Sequence, residues 1–217
     1  YTYSEDFTTS WNPTRSSITA NATTAPNGTL SADALIEDVS TNSHYVYQGV
    51  SVTAGTAYTY SIYVKINTRS AVAIQFYNTN GAFTAAAVYF DLLSGTIYSK
   101  DVAVLNASIS NVGSGWYRIS ATATSLATVS GNIALHLASS PATTTSYTGD
   151  GVSGVYIWGA QLETGYSATS YIPTTSTTAS RAADVSTSAQ STRAVDYAYM
   201  AGSNFGSWYN QNEGTII

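Results

Sequence analysis

Apolar and polar residues alternate with period two along most of the chain, the pattern of strands with one buried face. In Tyr58–Ile66 the even positions Tyr58, Tyr60, Ile62, Val64 and Ile66 share one face, and Thr59, Ser61, Tyr63 and Lys65 the other. In Ala71–Tyr77, Val72, Ile74 and Phe76 oppose Ala71, Ala73, Gln75 and Tyr77. Gly131–Ser139 repeats the scheme, with Ile133, Leu135 and Leu137 against Ala134, His136 and Ala138. The same reading places strands at Tyr45–Val52, Ala86–Asp91, Thr96–Ser99, Trp116–Thr124 and Gly154–Glu163. No segment carries a convincing helical period.

Turn chemistry separates these runs: Ala54-Gly55-Thr56, Asn80-Gly81, Ser94-Gly95, Gly113-Ser114-Gly115 and Thr148-Gly149-Asp150-Gly151. Asp91–Thr96 reads as the hairpin joining Val88–Asp91 to Thr96–Ser99. Strands joined by short turns, with no helix between them, predict an all-β antiparallel β-sandwich, a jelly roll over residues 1–172. Ile62, Val64, Val72, Ile74, Phe76, Ile133, Leu135 and Leu137 are its predicted core. Residues 173–204 are rich in Ser, Thr and Ala and bury too little to offset ordering, so they read as an extended linker or tail. Residues 205–217 recover an apolar pattern ending in Thr215-Ile216-Ile217, as an opening strand of a following β-domain would. A start at Tyr1 without a leader-like segment suits an internal piece of a longer chain.

Composition narrows the function classes. Only 9% of the 217 residues are charged, and the net charge is −5. That excludes a coiled coil, and it supplies no field to hold nucleic acid. No apolar run reaches the ~20 residues of a membrane-spanning helix, so membrane insertion is not expected. Without cysteine there is no disulfide framework, zinc ribbon or thiol nucleophile. Ser and Thr number 63, so a hydroxyl near His44 or His136 carries no catalytic information. Both histidines read as exposed strand or loop residues, with a hydrogen bond from His136 to a ligand hydroxyl as the functional alternative.

Gly149-Asp150-Gly151-Val152-Ser153-Gly154 matches a dinucleotide fingerprint, but a strand follows where a helix would be needed, so it reads as a turn. No spacing marks a pair of catalytic carboxyls, and no catalytic residues or enzyme activity are expected. There is no His/Cys cluster. Calcium held by Glu5 or Asp6 with Glu163 is the sole cofactor considered, against ordinary solvated charge. The N-x-S/T sites at Asn21, Asn27 and Asn106 are no more than chance supplies in so Ser/Thr-rich a chain.

The informative excess is Tyr: 18 residues, beside 5 Phe and 4 Trp. Flat rings stack on the apolar faces of pyranoses, while amides, His or Arg fix the hydroxyls. Strand-face reasoning assigns one sugar-binding face to Tyr63, Gln75, Tyr77, Tyr89, Arg118 and His136, with Lys65 beside them. Low charge suits neutral sugars, and Lys65 and Arg118 leave room for a uronate or sulfate. The bland alternative is that Tyr is simply good strand material.

An ordered series of fragments then suggests a family. It begins with Ser4-Glu5-Asp6-Phe7, Trp11, Asn21–Gly28, Ala32-Asp33-Ala34-Leu35, His44-Tyr45-Val46, Val52-Thr53-Ala54-Gly55 and Tyr63-Val64-Lys65. It continues with Gly115-Trp116-Tyr117-Arg118, Tyr147–Gly151, Trp158–Glu163 and Thr169–Thr174. Together these resemble a galactose-binding-like, jelly-roll carbohydrate-binding module of bacteriophage tail and prophage structural proteins. Arg181–Asp184 and Ser207–Asn210 resemble the lead-in to the concanavalin-like domain that commonly follows it. The resemblance implies a non-catalytic virion adhesion or structural module, outside the cell, homo-oligomeric with other virion subunits, and weakly bound to a polysaccharide. The alternative is an accessory module of a secreted polysaccharide-degrading enzyme. It carries over no ligand residues.

Overall fold

A computed structural model of the chain describes residues 1–139 and 144–180. Tyr1–Ala179 forms one compact unit. Two six-stranded antiparallel sheets face each other. The first runs, in spatial order, β1 (Asn12–Thr14), β5 (Tyr45–Val52), β12 (Val129–Leu137), β7 (Ala71–Phe76), β8 (Ala86–Asp91) and β9 (Thr96–Lys100). The second runs β10 (Asn106–Gly113), β11 (Trp116–Thr124), β6 (Ala57–Ile66), β14 (Gly154–Thr164), β3 (Leu30–Glu37) and β2 (Ser16–Thr24). A two-stranded sheet pairs β4 (Thr41–Ser43) with β13 (Ser146–Thr148). Consecutive strands change sheet at β1–β2, β5–β6, β6–β7, β9–β10 and β11–β12, the crossing pattern of a jelly roll. Among the described residues the only helical element is a single 3₁₀ turn, Thr79–Gly81.

The alternation sets the core. Ile62 and Val64 from the second sheet, and Val72, Ile74, Phe76, Ile133, Leu135 and Leu137 from the first, are all fully buried between the sheets. Each such side chain contributes roughly 1.5–3 kcal/mol. The five strands read from alternation outside the three clearest runs are present, with Thr96–Ser99 and Gly154–Glu163 each one residue longer. A bulge between Trp158 and Gln161 shifts the register of β14 against β6, and Gly159 takes φ 61° there. Before it Val155 and Ile157 point inward. After it Ala160 does, so Trp158 and Gln161 both end on the outer face.

The Gly149–Gly154 run is a turn leading into β14. A Cβ on Gly149 would stand 2.0 Å from the Asp38 carbonyl oxygen, and one on Gly154 1.9 Å from that of Leu35. Those glycines serve close backbone approach. Asp150 closes the turn by accepting the Val152 and Ser153 backbone N–H groups at 2.9 and 2.7 Å.

Hydrogen bonds to the start of the chain continue past Ile172. Tyr3 N–H donates to Thr175 O at 2.8 Å, Ser4 N–H to Thr174 O at 3.1 Å, and the Thr174 hydroxyl to Tyr1 O at 3.0 Å. The expected linker beyond residue 180 and the following strand at 205–217 lie outside the described residues.

Candidate functional site

The single face expected for Tyr63, Gln75, Tyr77, Tyr89, Arg118 and His136 is two faces. Gln75 on β7, Tyr77 just beyond it, Tyr89 on β8 and His136 on β12 belong to the first sheet. Tyr63 and Lys65 on β6 and Arg118 on β11 belong to the second. All of them point away from the shared core, so the sandwich itself separates the two groups. Alternation tells which side of its own strand a residue occupies, and says nothing about which sheet that strand joins.

On the first sheet, strand register builds a tyrosine site. Tyr45 pairs with His136 and Tyr47 with Ala134 across β5–β12, and His136 and Ala134 pair with Ala73 and Gln75 across β12–β7. Small residues between the larger ones let the rings lean together. Tyr45 stacks on His136 with centroids 4.5 Å apart and planes at 24°, and Tyr77 lies 5.9 Å from His136 at 30°. Tyr45 is 6.1 Å from Tyr77 and 6.0 Å from Tyr47. The Tyr77 hydroxyl and His136 Nε2 share a hydrogen bond of 2.7 Å. Tyr45, Tyr47, Tyr77, Thr79 and Asn132 line a depression of about 190 Å³. Gln75 and Tyr89 sit farther across the same face, half-buried.

His136 is not the exposed strand residue expected: it is 1% exposed, beneath the tyrosines. Burial first, then the charges of Arg15 and His44, pull its pKa down to about 3, so the imidazole is neutral at pH 7. Among the described residues its buried Nδ1 has no hydrogen-bond partner. Burial also pushes the Tyr77 hydroxyl up, with Tyr45 adding to the effect. Sequence reasoning missed Tyr45, Tyr47, Thr79 and Asn132. The signal lay in Tyr45-Val46-Tyr47, but the inward set of that strand includes Gln48, which blurred the contrast.

The outer face of the second sheet is closed. Tyr63 meets Trp158 at 5.2 Å and Tyr171 at 5.9 Å, both edge-on, and Trp116 and Trp158 are buried beside Ala25 and Ala32. The two indole N–H groups donate to Thr24 O and Ser31 Oγ, each at 3.2 Å. Arg118 lies 5.4 Å from the Tyr63 ring centroid and donates to Ser61 Oγ at 2.9 Å. This is a second small core under the 25–29 turn and the segment after β14. Tyr63→Ala is therefore expected to lower stability by about 2 kcal/mol in denaturant unfolding, through lost packing.

His44 is likewise fully buried, against the expectation of an exposed loop residue. Its Nδ1 lies 2.7 Å from Arg15 O and its Nε2 3.3 Å from Tyr147 O. Nearby, Glu37 accepts Arg69 Nε at 2.8 Å and Nη2 at 2.6 Å, the Tyr147 hydroxyl at 2.7 Å and the Asp150 N–H at 2.9 Å. Every Glu37 oxygen is occupied, which makes this a structural pin. The carboxylates considered for calcium are also engaged. Tyr171 donates to Glu5 at 3.1 Å, Thr8 N–H and hydroxyl donate to Asp6, and Thr169 donates twice to Glu163. Among the described residues no group of three or more His, Cys, Asp or Glu gathers around a common point.

No family model and no curated protein sequence matches the chain. Solved structures do. One is the CBM22-1–GH10 portion of Clostridium thermocellum endo-1,4-β-D-xylanase 10B, complexed with xylohexaose, at 20% identity and TM-score 0.43. That match covers 79% of this chain and only 28% of the xylanase chain. Another is TmCBM61 in complex with β-1,4-galactotriose, at 12% identity and TM-score 0.44, covering 76% of this chain and 99% of that one.

Proposed function

We propose that the described unit is a non-catalytic glycan-binding module whose site is the tyrosine depression of the first sheet. The observation that carries this reading is the convergence of Tyr45, Tyr47 and Tyr77 with the Asn132 amide and the Thr79 hydroxyl around one hollow. Rings give a sugar an apolar platform, and the amide and hydroxyls exchange hydrogen bonds with its OH groups. None of the five lining residues is a carboxylate, which speaks against glycoside cleavage by a carboxyl pair and supports a binding role.

The expected strength is low. Each ring contact adds about 0.5–1.5 kcal/mol and each hydrogen bond about 1 kcal/mol net. A hollow of about 190 Å³ is smaller than the roughly 300–1,000 Å³ of drug-sized sites, so it suits a single ring. Millimolar to high-micromolar affinity follows, and display of several copies would raise it by roughly 10²–10⁴. That arithmetic favours a repeated extracellular structure such as a virion tail or fibre built from identical subunits. An accessory module of a polysaccharide-degrading enzyme would use the same site once. A catalytic domain encoded beside this one would decide for the enzyme, and further virion domains for the particle.

Screening multimerised protein on a glycan array tests the reading. Wild type is expected to retain a subset of glycans, and Tyr47→Ala to lose about tenfold or more in affinity for them. Array binding unchanged by Tyr47→Ala would refute the site.

A further inference from the structure

Arg15 lies beside Tyr45, one of the residues that line the tyrosine depression. It directly follows Thr14, the last residue of β1, whose register partner is Tyr45. Its backbone takes φ 49°, which turns the chain out of the strand. The Nε atom donates to Ser43 O at 2.7 Å, and Cζ lies 5.6 Å from the centroid of Tyr45, a lining residue of the hollow. One hydrogen bond thus fixes the guanidinium in place. Among the described residues no carboxylate lies within ion-pair distance of it, Asp38 being near enough only for the two charges to act on each other, and no protein atom accepts from its two terminal nitrogens.

The other cations of the described unit are accounted for differently. Arg69 is held by Glu37, Lys100 donates to Val104 O, and Lys65 and Arg118 lie on the opposite sheet. A fixed arginine with two free N–H₂ groups beside an aromatic hollow has the form of a fork for a planar or tetrahedral oxyanion. In a chain of net charge −5, general electrostatic attraction would not draw an anion there, so any preference has to come from this one residue.

We propose that Arg15 is a specificity residue, and that the sugar seated on Tyr45, Tyr47 and Tyr77 carries an acidic group, a uronate carboxylate or a sulfate ester, received by the guanidinium. This rests on the glycan reading of the same hollow and adds the class of sugar. The neutral His136 beneath the rings contributes no charge of its own to the selection.

The test uses polysaccharides matched except for the acidic group: polygalacturonate with its carboxyl-reduced form, polymannuronate with its carboxyl-reduced form, dextran sulfate with dextran. Binding is measured by affinity electrophoresis for wild type, Arg15→Gln and Arg15→Lys, with thermal melts confirming that each variant is folded. In at least one pair, wild type is expected to bind the acidic member about tenfold more tightly, and to lose that margin as salt is raised. The uronate and sulfate arms tell the two oxyanions apart. Arg15→Gln removes the preference, so that its acidic and neutral members bind alike. Arg15→Lys keeps the charge but not the fork, and should keep part of the preference. Equal binding of neutral and acidic members by wild type, or a preference that survives Arg15→Gln, overturns the assignment of Arg15 alone. Failure to bind any of the six overturns the glycan reading with it.

Discussion

Arg69→Met is expected to lower unfolding stability by about 3 kcal/mol, seen as a fall in melting temperature of roughly 10 °C. The Glu37 carboxylate has no exposed surface, and Arg69 meets it with two N–H groups while lying 4.6 Å from the Tyr147 ring centroid. Removing the cation leaves a buried negative charge with only the Tyr147 hydroxyl and the Asp150 N–H as donors. The ion pair joins the end of β3 to the segment between β6 and β7, and the same Glu37 carboxylate holds the turn that feeds β14. The double variant Glu37→Gln with Arg69→Met should recover part of the loss, because it removes the stranded charge along with its partner. A single variant as stable as wild type would show that the pair does not pin these segments.

The second large effect is acid sensitivity centred on His136. Its pKa falls from an ordinary 6.5 to about 3 in the fold, chiefly by burial. Between those values the unfolded chain takes up a proton that the folded chain refuses, so stability declines as the pH drops through this window and levels off below it. From pH 6.5 to pH 5 the decline amounts to about 2 kcal/mol. Asp6, Asp38, Asp91 and Asp150, whose carboxyls are held low, lose their contributions only at still lower pH. Asp33, raised by burial, acts in the opposite sense. Because all five persist in His136→Gln, the difference in unfolding free energy between wild type and this variant, from urea melts, isolates the histidine. That difference should change by the stated amount between pH 7 and pH 5. A difference that stays constant would mean the imidazole accepts its proton inside the fold.

Much of the sandwich is legible in the sequence because inward positions are strongly apolar in the central strands. Ile62, Val64, Val72, Ile74 and Phe76 alternate cleanly, and their strands lie inside the sheets where one face must be buried. The strands that escape notice lack that contrast. β2 and β10 are the edges of the second sheet and are polar and largely exposed. In β3, Ala32, Asp33, Ala34 and Leu35 are all buried, so both faces lose water and no period of two survives.

The site divides along the same line. Tyr77 and His136 share an outward position in the alternation and do meet, with the histidine buried beneath the ring cluster it helps to build. Their partners Tyr45 and Tyr47 come from a strand more than twenty residues earlier in the chain, and only the β5–β12 register brings them together. Tyr63 and Arg118 share the outward signal and reach the other side of the molecule. There, loops that no strand periodicity encodes cover them.

Mapping of amide and ring NMR shifts during titration with whichever glycan the array selects tests the central claim most directly. The account predicts saturable shifts at Tyr45, Tyr47, Tyr77, Thr79 and Asn132, with Tyr63, Trp158 and Tyr171 unmoved. Shifts gathered on the second sheet around Tyr63, with the tyrosine depression silent, would contradict it.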